Sequence, residues 1–251
     1  MTNDKFPVWM SLDVSTECIG ITILIDDGSD YGKIVEITHI SPKTPKKING
    51  IEALFIKKQY VQNYIREFSK YNIDRVVIEE PLLSSNNQNT VATLLRFNGM
   101  VSDCIYNELG IVPTYISSYE AREYSFPELM SIRKYGKDEQ IYKPSKIIKN
   151  IKESHFVLFG GYPWTIDKKH VIFDKVNDIF SGINWIYNQH GELRKENFDA
   201  TDSYVACLGQ MNKEKHGMLS FQSDNINVFD DKVEYDVKYW NKVEHRTTYL
   251  S

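Results

Sequence analysis

Two apolar runs stand almost end to end at the start of this chain, Phe6 to Thr16 and Cys18 to Ile25. Runs so rich in Val, Ile and Leu, joined by a short polar turn, predict a β-hairpin at the heart of a sheet. One acid, Asp13, interrupts the first run between Leu12 and Val14. A carboxylate there is costly to bury unless a cation or a hydrogen-bond donor meets it. Asp also opens turns by bonding its own backbone, so Asp13 taken alone reads more readily as structural. The positions of the other acids change that reading.

The rest of the chain fits a sheet built around this hairpin. Lys33 to Ile40 alternates polar and apolar residues, as a half-buried third strand does. The Pro-containing stretch Ser41 to Asn49 is a loop, and apolar residues from Ile51 to Phe68 recur at three- and four-residue steps over a predicted helix, Ile51 to Tyr71. Then comes Asp74-Arg75-Val76-Val77-Ile78-Glu79-Glu80, a β-branched run that ends in two acids and is stopped by Pro81. A strand reached through a helix lies parallel to the first, by a right-handed crossover. That geometry puts Glu79 at the same sheet end as Asp13. A helix from Thr90 to Leu109, a strand from Val112 to Ile116 and a helix from Tyr119 to Tyr124 follow. The order predicts a mixed five-stranded sheet with helices on its faces, an α/β class.

The second half is less regular. Gly160, Gly161 and Pro163 break the pattern, His170 to Asn188 has helical periodicity, and Phe198 to Leu208 reads as a helix whose first turn holds Asp199 and Asp202. Those two acids are three apart, share one helical face and lie near the positive end of the helix dipole. The expected organisation is one domain over residues 1–214, with an insertion around 126–169, and a strand-containing C-terminal extension over 215–251.

Composition sets limits. A chain of 251 residues that is 41% hydrophobic can build a substantial core. No apolar run approaches the about eighteen residues of a membrane span, and Met1 to Lys5 lacks the features of a secretory signal. The expectation is a cytoplasmic protein without a membrane partner. Cys18, Cys104 and Cys207 have no zinc-type spacing and read as buried thiols. The net charge of −4 argues mildly against a nucleic-acid partner, yet lysines and arginines cluster between Ile132 and Lys175. A solvated helix face has the same look.

Asp13, Glu79, Asp199 and Asp202 therefore come from two strand ends and one late helix. Acids gathered at one sheet edge repel one another unless cations lie between them. Oxygen-only ligation suits Mg²⁺ or Mn²⁺, and two such ions can work on both sides of a phosphodiester. The pattern points to a metal-dependent nuclease.

The order of strands, the acid in Leu12-Asp13-Val14-Ser15 followed by Gly20, the acid in Val77-Ile78-Glu79-Glu80, and Asp199-Ala200-Thr201-Asp202-Ser203 resemble the RuvC family of Holliday-junction resolvases. The resemblance covers roughly the first 125 residues and the Asp199 helix. It implies an RNase H-like fold, with Asp13, Glu79, Asp199 and Asp202 as ligands of two Mg²⁺ ions and Mn²⁺ able to substitute. It implies paired hydrolysis of a four-way DNA junction in recombination and repair, leaving 5′-phosphates, by a two-fold homodimer. A basic residue near the metals would hold the scissile phosphate, with Lys143, Lys146 and Lys169 as candidates. Leu82 and Leu83 stand where bacterial members carry an aromatic wedge. The turn after Asp13 reads Val14-Ser15-Thr16 in place of Pro-Gly. The insertion and tail suggest a divergent member in a bacterial or phage-infected cell.

Two other readings stay open. Actin-like and sugar-kinase ATPases also begin with a strand hairpin and an Asp, but bind phosphate through Gly-rich turns that this chain lacks. A junction-binding or interaction protein without catalysis would have no physical need for four clustered acids.

Overall fold

The computed structural model describes residues 6–81, 87–126 and 168–216, together with two short strands, Arg133–Lys134 and Phe156–Val157. The central sheet has five strands: β1 (Val8–Val14), β2 (Ile19–Ile25), β3 (Lys33–Ile40), β4 (Arg75–Glu79) and β5 (Thr114–Ile116). Their spatial order is β3-β2-β1-β4-β5. The first three form an antiparallel meander, and β4 and β5 run parallel to β1. The expected mixed sheet is thus the observed one. The pair Arg133–Lys134 and Phe156–Val157, β6 and β7, forms a separate antiparallel ribbon. Apart from Phe126, Lys168 and Lys169, the rest of the expected insertion lies outside the described residues, as does the extension beyond 216.

Both faces of the sheet are covered, which is why β1 and β2 read as continuous apolar runs. On one face lie α1 (Gly50–Phe68) and α2 (Gln88–Leu109). There Met10, Leu12, Ile21 and Ile23 pack with Val61, Ile65, Phe97 and Val101. On the other lie α3 (Ser118–Ser125), α4 (Lys168–Ile179) and α5 (Glu196–His216). There Trp9, Leu24 and Val77 pack with Val171, Tyr204 and Leu208. Among the described residues no helix is long and apolar enough to cross a membrane.

Local chemistry sets the element ends. The Asn87 side chain accepts from the N–H groups of Asn89 and Thr90, so α2 begins at Gln88, two residues before the periodic pattern does. Gly110, with φ of 71°, takes the left-handed position that closes α2. A Ser117–Glu120 capping box starts α3. Two expectations need correction. The helix expected to run from His170 to Asn188 ends at Ile179, where residues 181–182 turn the chain. Beyond it Phe180, Ile183 and Trp185 pack against the second core from irregular backbone, so apolar spacing persists without a helix. Helix α5 starts at Glu196, so Asp199 lies in its first turn and Asp202 falls beyond it, further from the dipole's positive end than expected.

Candidate active site

Strand alternation decides which side chains of β1 face α5. Val8, Met10, Leu12 and Val14 belong to the α1–α2 core, which leaves Ser11 and Asp13 on the opposite face. Glu79 has the same phase as Val77, on the α5 side of β4. Leu12 pairs with Ile78, so Asp13 and Glu79 end adjacent parallel strands side by side. This edge lies at the carboxyl ends of β1, β4 and β5, where open α/β sheets place their sites.

Helix α5 brings the other two acids by lying unusually close to the sheet. Gly20 is the cross-strand partner of Asp13, and a Cβ on Gly20 would stand 1.9 Å from the carbonyl oxygen of Asp199. No side chain fits there, so main chain meets main chain. A second close contact, Gly209 against the backbone of Ala121, seats α5 on α3. Polar bonds fix the register: Ser11 Oγ donates to the Ser203 carbonyl at 2.6 Å, and Thr22 Oγ1 and Ser203 Oγ share a bond of 2.8 Å. Asn197 ties the loop ahead of α5 down, accepting from Ile186 N–H at 3.1 Å and donating to its carbonyl at 2.7 Å.

The result is a cluster of interacting carboxylates. Burial, then Asp202 and Asp199, push the Asp13 carboxyl up to about 8, while Lys169 and Arg122 pull it back. Burial and the charges of Asp13 and Asp202 raise Glu79 as well. Asp202 is raised by burial despite the opposing pull of Lys169 and Arg122. Lys169 places its ammonium 3.3 Å from Asp199 Oδ1 and 3.7 Å from Asp202 Oδ2. Burial opposes that charge, but Asp202 and Asp199 outweigh it and raise the lysine's pKa. The Cys18 thiol, pushed up to about 12 by burial and by its hydrogen bond with Asp199, is inert as a nucleophile.

Of the residues singled out by sequence, Asp13, Glu79, Asp199, Asp202 and Lys169 come together here. Lys143, Lys146, Leu82 and Leu83 lie outside the described residues. Arg122 was not anticipated; its signal was a basic residue in the helix that leaves the same sheet edge as Glu79. The four acids supply an oxygen-only donor set of the kind hard divalent ions take. As the side chains stand, no three His, Cys, Asp or Glu among the described residues are grouped to hold a metal ion.

The Val14-Ser15-Thr16 turn is closed by one side chain. Ser15 Oγ accepts from Glu17 and Cys18 N–H and donates to the Cys18 carbonyl at 2.7 Å, while Ser15 N–H bonds the same carbonyl at 3.0 Å. Lys57 of α1 donates to the Thr16 carbonyl, and Lys195 pairs with Glu17 at 3.3 Å. The turn after Asp13 is thus built on Ser15.

No protein-family model matches the sequence, and no curated protein matches it. Solved structures do. One of Thermus thermophilus RuvC in complex with a Holliday junction substrate superposes with a TM-score of 0.50 at 11% identity, over 84% of this chain and 96% of that one. The fold is RNase H-like. The yeast mitochondrial Holliday junction resolvase Ydc2 gives a TM-score of 0.49 at 12% identity, over 85% and 82% of the two chains. An Aquifex aeolicus member of the Ppx/GppA protein family gives 0.36 at 11% identity, over 83% and 89%. Neither of these two scores is high enough to bear on the fold. The RNase H-like sheet accounts for the placement of Asp13 and Glu79 on neighbouring strands.

Proposed function

We propose that this chain is a divalent-metal-dependent, structure-selective DNA endonuclease that resolves four-way junctions. The observation that carries the reading is the meeting of Asp13, Glu79, Asp199 and Asp202 at one edge of an RNase H-like sheet. Such a cluster is costly for a protein that does no chemistry with it, because burial and mutual repulsion both oppose the charged forms. The oxygen-only chemistry of these four donors is the kind that Mg²⁺ or Mn²⁺ takes, and in this reading two such ions would be held by Asp13, Glu79, Asp199 and Asp202. Bound there, they supply Lewis acidity toward the phosphodiester and lower the pKa of water.

The protein's own groups do the rest. Asp13 and Glu79 hold the strand side of the site, and Asp199 and Asp202 the helix side. Lys169 and Arg122 give positive charge to an approaching phosphate, Arg122 with a planar fork suited to two of its oxygens. The seating of Gly20 against Asp199 fixes the spacing between the two sides before substrate arrives. Cutting both strands symmetrically takes two such sites, hence a two-fold homodimer. Branched DNA is the substrate in this reading, and the likeness to a junction-bound RuvC fold supports it.

An ATPase of the actin or sugar-kinase kind would lend the amides after its first Asp to phosphate. Here the N–H groups of Ser15, Glu17 and Cys18 are spent within the turn. The deciding experiment incubates the full chain with synthetic four-way junction, flap and linear duplex, with Mg²⁺ or with chelator, alongside Asp13→Asn. Junction cleavage that needs metal and Asp13 supports the reading. No cleavage with metal, or equal cleavage by Asp13→Asn, sinks it. Junction binding without cleavage would favour a non-catalytic scaffold, and ATP hydrolysis without DNA the kinase-like group.

A further inference from the structure

Lys169 stands where a cation is needed. Its ammonium lies within 3.7 Å of carboxylate oxygens of both Asp199 and Asp202. The backbone that carries it is held firmly: His170 and Phe173, on the first turns of α4, bracket the ring of Phe198 at centroid distances of 4.8 and 5.9 Å. Phe198 directly precedes Asp199. The first turn of α4 is therefore fixed relative to the acids, but the lysine side chain is 53% exposed. Its four-carbon stem is therefore partly in solvent.

A divalent ion that takes Asp199 and Asp202 needs the same oxygens. An ammonium and a metal ion at that pair would also repel each other at contact distance. Lys169 and Arg122 already offset part of the charge of the four acids, so a divalent ion competes with Lys169 for Asp199 and Asp202 rather than adding to it.

We propose that Lys169 is a built-in counter-cation for Asp199 and Asp202 that a divalent ion must displace. The site is thereby held together before metal binds. Metal entry turns the lysine outward, to the solvent side of the acids, where a substrate phosphate would approach. Lys169 is thus a positioning residue with two stations, one on the acids and one on the solvent side. This inference rests on the metal-dependent reading above.

The test uses the full chain without DNA. Mn²⁺ is titrated calorimetrically into wild type, Lys169→Gln and Lys169→Arg. Removing the charge should tighten the apparent Mn²⁺ affinity by about tenfold, while Lys169→Arg stays near wild type. With chelator present, Lys169→Gln should melt below wild type. Equal or weaker Mn²⁺ affinity in Lys169→Gln overturns the proposal and leaves the nuclease reading standing. If neither protein binds Mn²⁺, the metal-dependent reading fails and takes this one with it. Should Lys169→Gln not fold, ¹³C-dimethylated lysines of the wild type decide, with the Lys169 signal assigned by its loss in Lys169→Arg. Saturating Mg²⁺ should move that signal to the position of exposed lysines; an unmoved signal overturns displacement.

Discussion

The two faces of the sheet are built on different principles, and β1 shows both. Its residues Met10 and Leu12 enter a dry core against α1 and α2. Its residues Ser11 and Asp13 point the other way, into a seam where α5 is held by hydroxyl bonds and glycine contacts. The first face draws stability from apolar area, at roughly 25 cal/mol per Å² removed from water. The second gives up some of that area to bring a helix backbone within reach of strand ends. The difference teaches where chemistry can sit: on the face whose helix approaches through main chain, because there the acids can be brought close.

This contrast can be broken at several points. The largest effect belongs to Asp13. Asp13→Asn should lower junction cleavage by about a thousandfold or more, the scale seen when a catalytic group is lost. Its melting temperature in chelator should not fall, since a neutral Asn avoids the burial and neighbouring acids that oppose the charged form of Asp13. A large loss of stability would make the acid structural and dissolve the distinction between the faces. On the opposite face, Ile65→Ala removes a fully buried side chain and should cost about 2–5 kcal/mol, measured by urea unfolding, with cleavage per folded molecule retained.

Gly20→Ala tests the seam itself. The new Cβ meets backbone at 1.9 Å, so α5 must shift, at a cost of about 1–3 kcal/mol. Unlike Ile65→Ala, it should also depress cleavage per folded molecule, because Asp199 moves with the helix. Next comes pH. The Asp13 carboxyl rises from 3.8 to about 8 on folding, so between those values the folded state holds a proton that the unfolded state has lost. Stability without metal therefore falls as pH rises from about 4 to about 8. Melting curves in chelator across this range should show the decline, and Asp13→Asn should make it shallower, leaving the part that Glu79 and Asp202 contribute. The smallest effect is Ser203→Ala, which deletes the Thr22 bond and should cost about 1 kcal/mol.

Much of this architecture was legible in the chain. The hairpin follows from two apolar β-rich runs around a short turn, the crossover from the helical spacing before β4, and the placing of Glu79 from Pro81 as a stop. The second half was harder for identifiable reasons. Loop residues Ile183 and Trp185 pack like helix residues, so spacing alone extended α4 too far. The early start of α5 depends on Asn197 bonding Ile186, a contact between segments that no local pattern announces. Lys169 could be named only as one of three lysines, because its meeting with Asp199 spans thirty residues of sequence. Arg122 escaped notice altogether, since its partners Asp13, Glu79 and Asp202 are far from it along the chain.

The contact between Gly20 and the Asp199 carbonyl acts as a detent. A helix seated on side chains can creep along a sheet by small rotamer adjustments, but here the facing surfaces are main chain and have nothing to adjust. Moving α5 by one residue would shift it by about 1.5 Å and turn it by about 100°, carrying Asp202 off the site. The geometry of the acids is therefore most sensitive at Gly20, where any added side chain pushes against the backbone of Asp199. Substitutions elsewhere on α5 act on its side-chain packing in the second core, whereas the Gly20 contact sets how near Asp199 comes to the strand that carries Asp13's partner.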